Sequence, residues 1–258
     1  MIAKPDFIAG MAKGLAVLES FDTERQRLNA TLAAQRAGLT RAAARRHLLT
    51  LAHLGYLETD GSYFWLSSKV LRFSGSYLAT ARLPRMLQPT LERLAVQSRQ
   101  SFSAVLLDGD EVVIVVRSTI ARPGAEVSQI LAYGLRLGAR LPAHATSTGR
   151  VLLAALPRKA FNDWMKGRVL TRLTPNTVTT AKPFRALIEQ VRSDDYCLTR
   201  EEHELGVQAL AVPLRNVQGQ TVAALNVVST PAQLSSQAML REMLPLLMNA
   251  ARELRPLL

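Results

Sequence analysis

The sequence predicts an α+β chain in three stretches. Residues 1–66 form a winged helix-turn-helix, residues 67–81 a linker helix, and residues 82–258 a larger unit built on one antiparallel sheet flanked by helices. Three observations predict this. The run LNATLAAQRAGLTRAAARRHLLTLAHLGYLETDGSYFWL, from Leu28 to Leu66, reads helix, tight turn, helix, hairpin. After about Gln97 the apolar period of 3.6 gives way to short strand-like runs. The 258 residues, 48% of them hydrophobic, are enough for two domains with real cores.

Taken in order, Ile8 to Phe21 has helical spacing, with Met11, Leu15 and Leu18 expected on the packed face. Thr31 to Ala37 is a short helix that Gly38-Leu39 breaks. Thr40 then reads as an N-cap, because its hydroxyl can accept from the free amides of the next turn. From there to Leu54 no Gly or Pro intervenes, and Ala44, Leu48 and Leu51 form one apolar face. Asp60-Gly61 between two β-prone runs signals a hairpin. Ser67 to about Ala81 carries a Val70, Phe73, Tyr77 stripe, and Pro84 opens a helix reaching about Gln97. Phe102 to Leu107 and Val112 to Arg117 form a hairpin about Asp108-Gly109-Asp110, and Val127 to Tyr133 is a third strand. The Gly-bounded stretch Gly134 to Gly138 leads to Leu141-Pro142-Ala143-His144, and Thr146 or Ser147 caps a helix over Thr148 to Ala155. Further helices are expected from Pro157 to about Lys166 and from Lys182 to Asp194, with a loop over 171–180 between them. Strands follow at Tyr196 to Thr199, Gln208 to Leu214 and Thr221 to Ser229, and a helix from about Ser235 to Leu254 closes the chain.

Net charge is +12, with a pI near 10.6, which favours an anionic partner. Residues 1–80 hold ten basic and six acidic residues and the rest hold 22 and 14, so the excess is spread out and only its arrangement is diagnostic. Between Glu24 and Glu58 there is no carboxylate, but there are six arginines: Arg25, Arg27, Arg36, Arg41, Arg45 and Arg46. Phosphates supply most of the affinity for DNA, so such a window suits binding to a duplex. Thr40, Arg41, Ala42, Ala43, Arg45 and Arg46 form the part of the second helix that would meet the groove. Arg41 and Arg45 are the candidates for reading base edges, and Arg46 for anchoring a phosphate. Ser62 and Tyr63 on the wing are candidates for phosphate or the minor groove; the rival for Tyr63 is packing beneath the hairpin. For the arginines the rival is a solvated basic face.

The single cysteine, Cys197, excludes an internal disulfide and fits a reducing cytoplasm. No apolar run reaches the ~18 residues of a membrane span, and the N-terminus lacks the apolar stretch of a signal peptide. Little supports catalysis. There is no GxSxG elbow, P-loop or GxGxxG, and His203-Glu204 lacks the second histidine of HExxH. The four histidines and one cysteine form no metal cluster of familiar spacing, so neither a metal nor another cofactor is expected.

The stretches TRAAARRHLLTLAHLGYL (Thr40 to Leu57), LPAHATSTGRVLLA (Leu141 to Ala154) and EEHELGVQALAVP (Glu201 to Pro213) resemble the IclR family of bacterial regulators over essentially the whole chain. The opening FIAGMAKGLAVLESF and the form of the recognition helix are most similar to the branch controlling catabolism of protocatechuate, 4-hydroxybenzoate and β-ketoadipate. The resemblance implies a transcriptional regulator, more an activator than a repressor, that binds a palindromic operator as a dimer or dimer of dimers. It also implies a GAF-like C-terminal domain holding a small organic acid. The family's recurring helix arginine falls on Arg46, and its usual Ser/Thr at the groove on Ala43.

The family's pocket loop falls on His144 to Gly149, and further pocket positions fall on Thr199, Ala209, Asn226 and Val228. Some relatives carry Cys and Ser for a small keto acid where Ala209 and Asn226 stand, which argues against a small keto acid; the branch resemblance implies an aromatic acid instead. The residues themselves leave alternatives open. Thr146, Ser147, Thr148 and the amides at Gly149 suit an anion at a helix N-terminus, or only a helix cap. His144 can donate to a ligand or be fixed by a backbone carbonyl. Asn226, in an apolar strand, needs a partner, either ligand or backbone. A reading from another class is an enzyme that binds or hydrolyses a small molecule, with a helix-turn-helix that is vestigial or serves oligomerisation. A specific DNA footprint favours the regulator, and turnover of a candidate acid favours the enzyme.

Overall fold

The computed structural model describes residues 4–22, 25–118 and 136–258. The chain divides into two units, Met1–Ala81 and Arg82–Leu258. In the first, α1 (Ala9–Glu19) precedes α2 (Ala30–Ala37) and α3 (Arg41–His53). Asn29, which the sequence reading passed over, caps α2 by accepting from the amides of Thr31 and Leu32. Gly38 ends that helix in the left-handed region, at φ 64°, which favours glycine. Thr40 Oγ1 accepts from Ala43 N at 3.3 Å and starts α3.

The wing is β1 (Leu57–Thr59) paired antiparallel with β2 (Phe64–Leu66). Its connection is the four residues from Asp60 to Tyr63, longer than a two-residue Asp-Gly turn. Asp60 Oδ1 gathers the amides of Ser62 (3.0 Å) and Tyr63 (2.7 Å). A bridge between Leu28 and Phe64 ties the wing to the chain before α2. Val17, Leu28, Ala33, Ala44 and Leu48 are fully buried at the centre of this unit. Burying a leucine of this kind stabilises by about 1.5–3 kcal/mol.

The α1 expectation needs correcting. Met11 and Leu15 are 65% and 52% exposed; of the expected stripe only Leu18 packs inward, beside Val17 and Phe21. The helix turns its small Gly14 toward α3, where a β-carbon would stand 3.7 Å from His47 Nδ1. The Met11–Leu15 stripe lies on the open side of the helix. A 3-10 turn (Ser68–Val70) and α4 (Leu71–Thr80) complete the unit. The α4 stripe is also open: Phe73 stacks on Tyr56 at 5.6 Å yet is 62% exposed.

The second unit begins with α5 (Arg82–Ser98), two residues before the expected Pro84. Proline is tolerated there because first-turn amides have no intrahelical acceptor. β3 (Ser101–Asp108) and β4 (Glu111–Ser118) form the predicted hairpin, and β5 (Arg140–Pro142) adds to the edge of β4. The expected strand from Val127 to Tyr133 lies outside the described residues. Next come α6 (Ser147–Ala155), α7 (Arg158–Met165) and α8 (Ala181–Asp194). Strands β6 (Cys197–Arg200), β7 (Gln208–Arg215) and β8 (Thr221–Ser229) complete an antiparallel sheet of order β5-β4-β3-β8-β7-β6.

Alternation along the strands sorts side chains to two cores. Leu210, Val212 and Leu214 of β7, with Leu225 and Val227 of β8, pack with α5 and the C-terminal helix. Ala211 and Ala224 face the other way, in the core under α6, α7 and α8. The C-terminal helix is broken where one was expected: Ser236–Ala238, a π turn over Met239–Met243, then α9 (Leu244–Leu254). Pro245 has no amide to give the carbonyl of Arg241, and the turn before it widens so that Leu244 N bonds Met239 O.

Candidate functional site

On α3, Thr40, Arg41, Ala42, Arg45 and Arg46 are exposed and Ala43 is half-buried. Thr40 lends its hydroxyl to the cap. Arg41, Arg45 and Arg46 form no ion pair among the described residues, so their charge is uncompensated there. Two other arginines of the carboxylate-free window are spoken for: Arg27 pairs with Asp60 and Arg36 with Asp22. Ser62 and Tyr63 are exposed at the wing tip, Tyr63 by 41%, so Tyr63 is not packed beneath the hairpin. Arg27 lies 5.7 Å from the Tyr63 ring and 4.7 Å from that of Trp65. Amides of Tyr63 and Ser62 hold the Asp60 carboxyl below its usual range, with help from the Arg27 charge. The start of α3 thus presents three arginines with no ion pair among the described residues, while the wing tip carries Asp60, which is paired with Arg27.

In the second unit a cavity of about 60 Å³ lies between the sheet and the start of α6. One water needs only ~10–15 Å³ on that measure. Seven of the nine positions expected at a ligand line it: Thr146, Ser147, Thr148, Thr199, Ala209, Asn226 and Val228. The sheet register explains the grouping. Thr199 stands opposite Ala209, Ala209 opposite Val228, and Asn226 between Ser103 and Ala211. Ala209 leaves room in the lining that a larger side chain would fill.

His144 and Gly149 are not in the lining. Buried His144 donates from Nε2 to the Thr171 carbonyl at 2.9 Å, which is the backbone role weighed for it. Burial pushes its pKa down, with Arg150 adding to the effect and the Thr171 carbonyl opposing it. Gly149 serves packing: a β-carbon there would overlap the Ala143 backbone. Its missing side chain lets α6 lie directly on the 3-10 turn Ala143–Ala145.

Thr146 Oγ1 caps α6, accepting from Gly149 N at 3.2 Å and donating to Pro142 O at 3.2 Å. The first amides of α6, at Ser147 and Thr148, have no acceptor within the helix, and the helix dipole favours negative charge there. Two buried side-chain atoms in the lining have no hydrogen-bond partner among the described residues: Ser147 Oγ and Asn226 Oδ1. Their residues are 1% and 7% exposed. Leaving such atoms unmet costs about 1–3 kcal/mol each, and both are open to a polar group that enters the cavity.

Sequence reasoning missed one side of the cavity, Glu202, His203 and Glu204. Behind it lies Arg150, 2% exposed, which grips Glu202 with both terminal nitrogens (Nη1 to Oε1 at 2.7 Å) and gives Nε to the His144 carbonyl at 3.0 Å. Thr174 and Thr177 donate to the Glu201 and Glu202 carbonyls at 2.6 and 2.7 Å. Burial lowers the pKa of His203, against the Glu204 charge, which raises it. Cys197 is buried, its thiol pushed up to about 11 by desolvation, and so is no nucleophile at neutral pH. Among the described residues no group of three or more His, Cys, Asp or Glu could hold a metal ion, and no helix is long and apolar enough to cross a membrane.

The chain matches two family models, the helix-turn-helix domain of IclR over residues 10–61 and the C-terminal domain of bacterial IclR regulators over residues 75–255. It is 51% identical over 256 residues to the p-hydroxybenzoate hydroxylase transcriptional activator of Acinetobacter baylyi, covering 99% of this chain and 94% of that protein. It is 48% identical over 258 residues to the Pca operon regulatory protein of the same organism, covering 100% and 92%. A double mutant of the inducer-binding domain of the PobR transcription factor from Acinetobacter, solved with 3-hydroxybenzoic acid, superposes with a TM-score of 0.63. That match has 47% identity over 68% of this chain and 98% of that one. The arginine-lined α3 and wing, the sheet-and-helix unit with its polar cavity, and these matches along the full length lead to one identification: the chain belongs to the IclR family of bacterial transcriptional regulators.

Proposed function

We propose that this regulator responds to a hydroxybenzoate-class aromatic acid held between α6 and the sheet, and that it activates an operon for aromatic-acid catabolism. The observation that carries the effector half is the pair Ser147 Oγ and Asn226 Oδ1, both buried without a partner among the described residues and both lining one cavity. Ser147 and the first amides of α6 suit a carboxylate, and the Asn226 carbonyl oxygen suits a donor such as a ring hydroxyl. Thr146, Thr148, Thr199, Ala209 and Val228 shape the space. His144 and Gly149 act from behind, fixing the start of α6. The relatives named for p-hydroxybenzoate and the Pca operon, and the 3-hydroxybenzoic acid complex, support the same ligand class and the positive sign.

The DNA half rests on Arg41 and Arg45 reading base edges, Arg46 on a phosphate, and Ser62 and Tyr63 at the backbone beside the groove. The operator is a palindrome read by a homodimer or a dimer of dimers. Phe7, Ile8, Met11 and Leu15, an exposed apolar stripe on and before α1, supply a surface for pairing with a second copy. A regulator of this kind works in the cytoplasm.

The test is thermal unfolding of the full chain with 4-hydroxybenzoate, protocatechuate, β-ketoadipate and pyruvate. A ligand at ~100 times its dissociation constant stabilises by about 2.7 kcal/mol. We expect a clear upward shift with one of the aromatic acids, lost in S147A and N226L. No shift with any acid defeats the effector reading, and a specific footprint on DNA would still stand for the other half.

A further inference from the structure

The cavity's lining has an uneven charge pattern. Glu202 is compensated, because Arg150 holds it with both terminal nitrogens from a position 2% exposed. Glu204 is not. It is half-buried, lines the same cavity, and forms no ion pair or hydrogen bond through its side chain among the described residues. Beside it His203 stays neutral near pH 7, since burial lowers its pKa. Thr146, Ser147, Thr148 and Asn226 contribute hydroxyls and an amide, and no lysine or arginine is in the lining among the described residues. The cavity therefore offers one attractive place for an anion, the start of α6 with Ser147, and one fixed negative charge elsewhere.

We propose that Glu204 is a specificity residue: the pocket accepts aromatic monocarboxylates whose second polar group is neutral, and rejects dicarboxylates of the same shape. This rests on the effector reading above and deepens it. In a space of about 60 Å³ no ligand atom is far from the lining, and a bound ligand displaces much of the water between. Screening over roughly 8 Å, which weakens surface charges at physiological salt, is weaker for such partly buried groups. A second carboxylate would face Glu204 without a cation to offset it, and like charges brought together out of water are disfavoured strongly. A phenol or a carboxamide meets no such opposition and can give its proton to Asn226 Oδ1 or to Glu204 itself.

The experiment compares isosteres, so that charge is separated from size. Binding of 4-hydroxybenzoate, 4-carbamoylbenzoate and terephthalate to the full chain is measured by calorimetry, for the natural sequence and for Glu204→Gln. We expect terephthalate to bind at least about tenfold more weakly than 4-carbamoylbenzoate, and the gap to narrow to within about threefold in E204Q. Thermal unfolding of E204Q checks that the variant is folded. Equal binding of the two isosteres to the natural chain overturns the proposal, as does a gap that folded E204Q leaves unchanged. Failure of every monocarboxylate to bind is a different result: it removes the effector reading and this inference with it.

Discussion

Arg46 and Arg150 are the same residue type put to opposite use. Arg46 stands on an exposed helix face with no ion pair among the described residues, while Arg150 is 2% exposed and spends its guanidinium on Glu202 and the His144 carbonyl. A cation kept in water loses little by remaining unpaired, so it is free for a phosphate that arrives later. A cation taken out of water must be met at once, and what meets it becomes part of the fold. The N-terminal unit holds its charge ready for a partner; the C-terminal unit uses charge to build a wall of its cavity.

The strongest way to break this contrast is to unpair the buried ion. In E202A, Arg150 would lose both terminal contacts while remaining buried. We expect a loss of about 3–5 kcal/mol in chemical unfolding of the full chain. Replacing both partners in R150M/E202L should cost much less, because no charge is left stranded. If the double variant is as unstable as E202A, the pair's value lies in packing and the contrast with Arg46 fails.

The surface counterpart is smaller and of a different kind. R46A should leave unfolding within about 0.5 kcal/mol of the natural chain. It should weaken DNA binding to all sequences alike and reduce the salt slope of log affinity by about one. An unchanged slope in titrations at several salt concentrations would remove the phosphate contact. R41A or R45A, in contrast, should relax discrimination between operator and competitor DNA by about 1–3 kcal/mol at one base position.

How much of this was legible in the chain follows the range of the forces involved. Caps and turns are local chemistry, so Thr40, Gly38, Asp60 and Thr146 could be read from neighbouring residues, as could β3, β4, β6, β7 and β8, while the short β5 at Arg140–Pro142 was not expected. Asn226 and the hydroxyl run at 146–148 stood out because a polar group in an apolar strand, or before a helix, announces itself. Glu202 and Glu204 did not. They follow β6 in sequence, and only the order β8-β7-β6 carries their loop back to α6, 52 positions from Arg150. The α1 stripe misled for a related reason. Periodicity gives the existence of a face, while which side of α1 turns inward is decided by the elements it packs against, and there Val17 rather than Met11 or Leu15 is buried. The π turn likewise depends on Pro245 acting on a helix whose position over the sheet is set by distant strands.

The smallest expected effect is a pH dependence of stability confined to the cavity wall. Burial, the largest cause, lowers the folded-state pKa of both His144 and His203. For His144, Arg150 and Arg168 add to it while the Thr171 carbonyl and Glu202 oppose; for His203, His144 adds to it while Glu204 opposes. The unfolded chain therefore takes up protons first as pH falls through the ordinary histidine range near 6.5. The stability these groups contribute is complete above that range and declines as pH drops through it toward their folded values. Unfolding measured between pH 7.5 and 5 should show this decline, and H203Q should flatten it in part without touching the salt slope of DNA binding. A decline that H144N/H203Q leaves unaltered would place the pH sensitivity elsewhere. A decline that vanishes in the double variant would make the wall of the cavity, rather than the arginine-lined helix, the part of this regulator that senses protons.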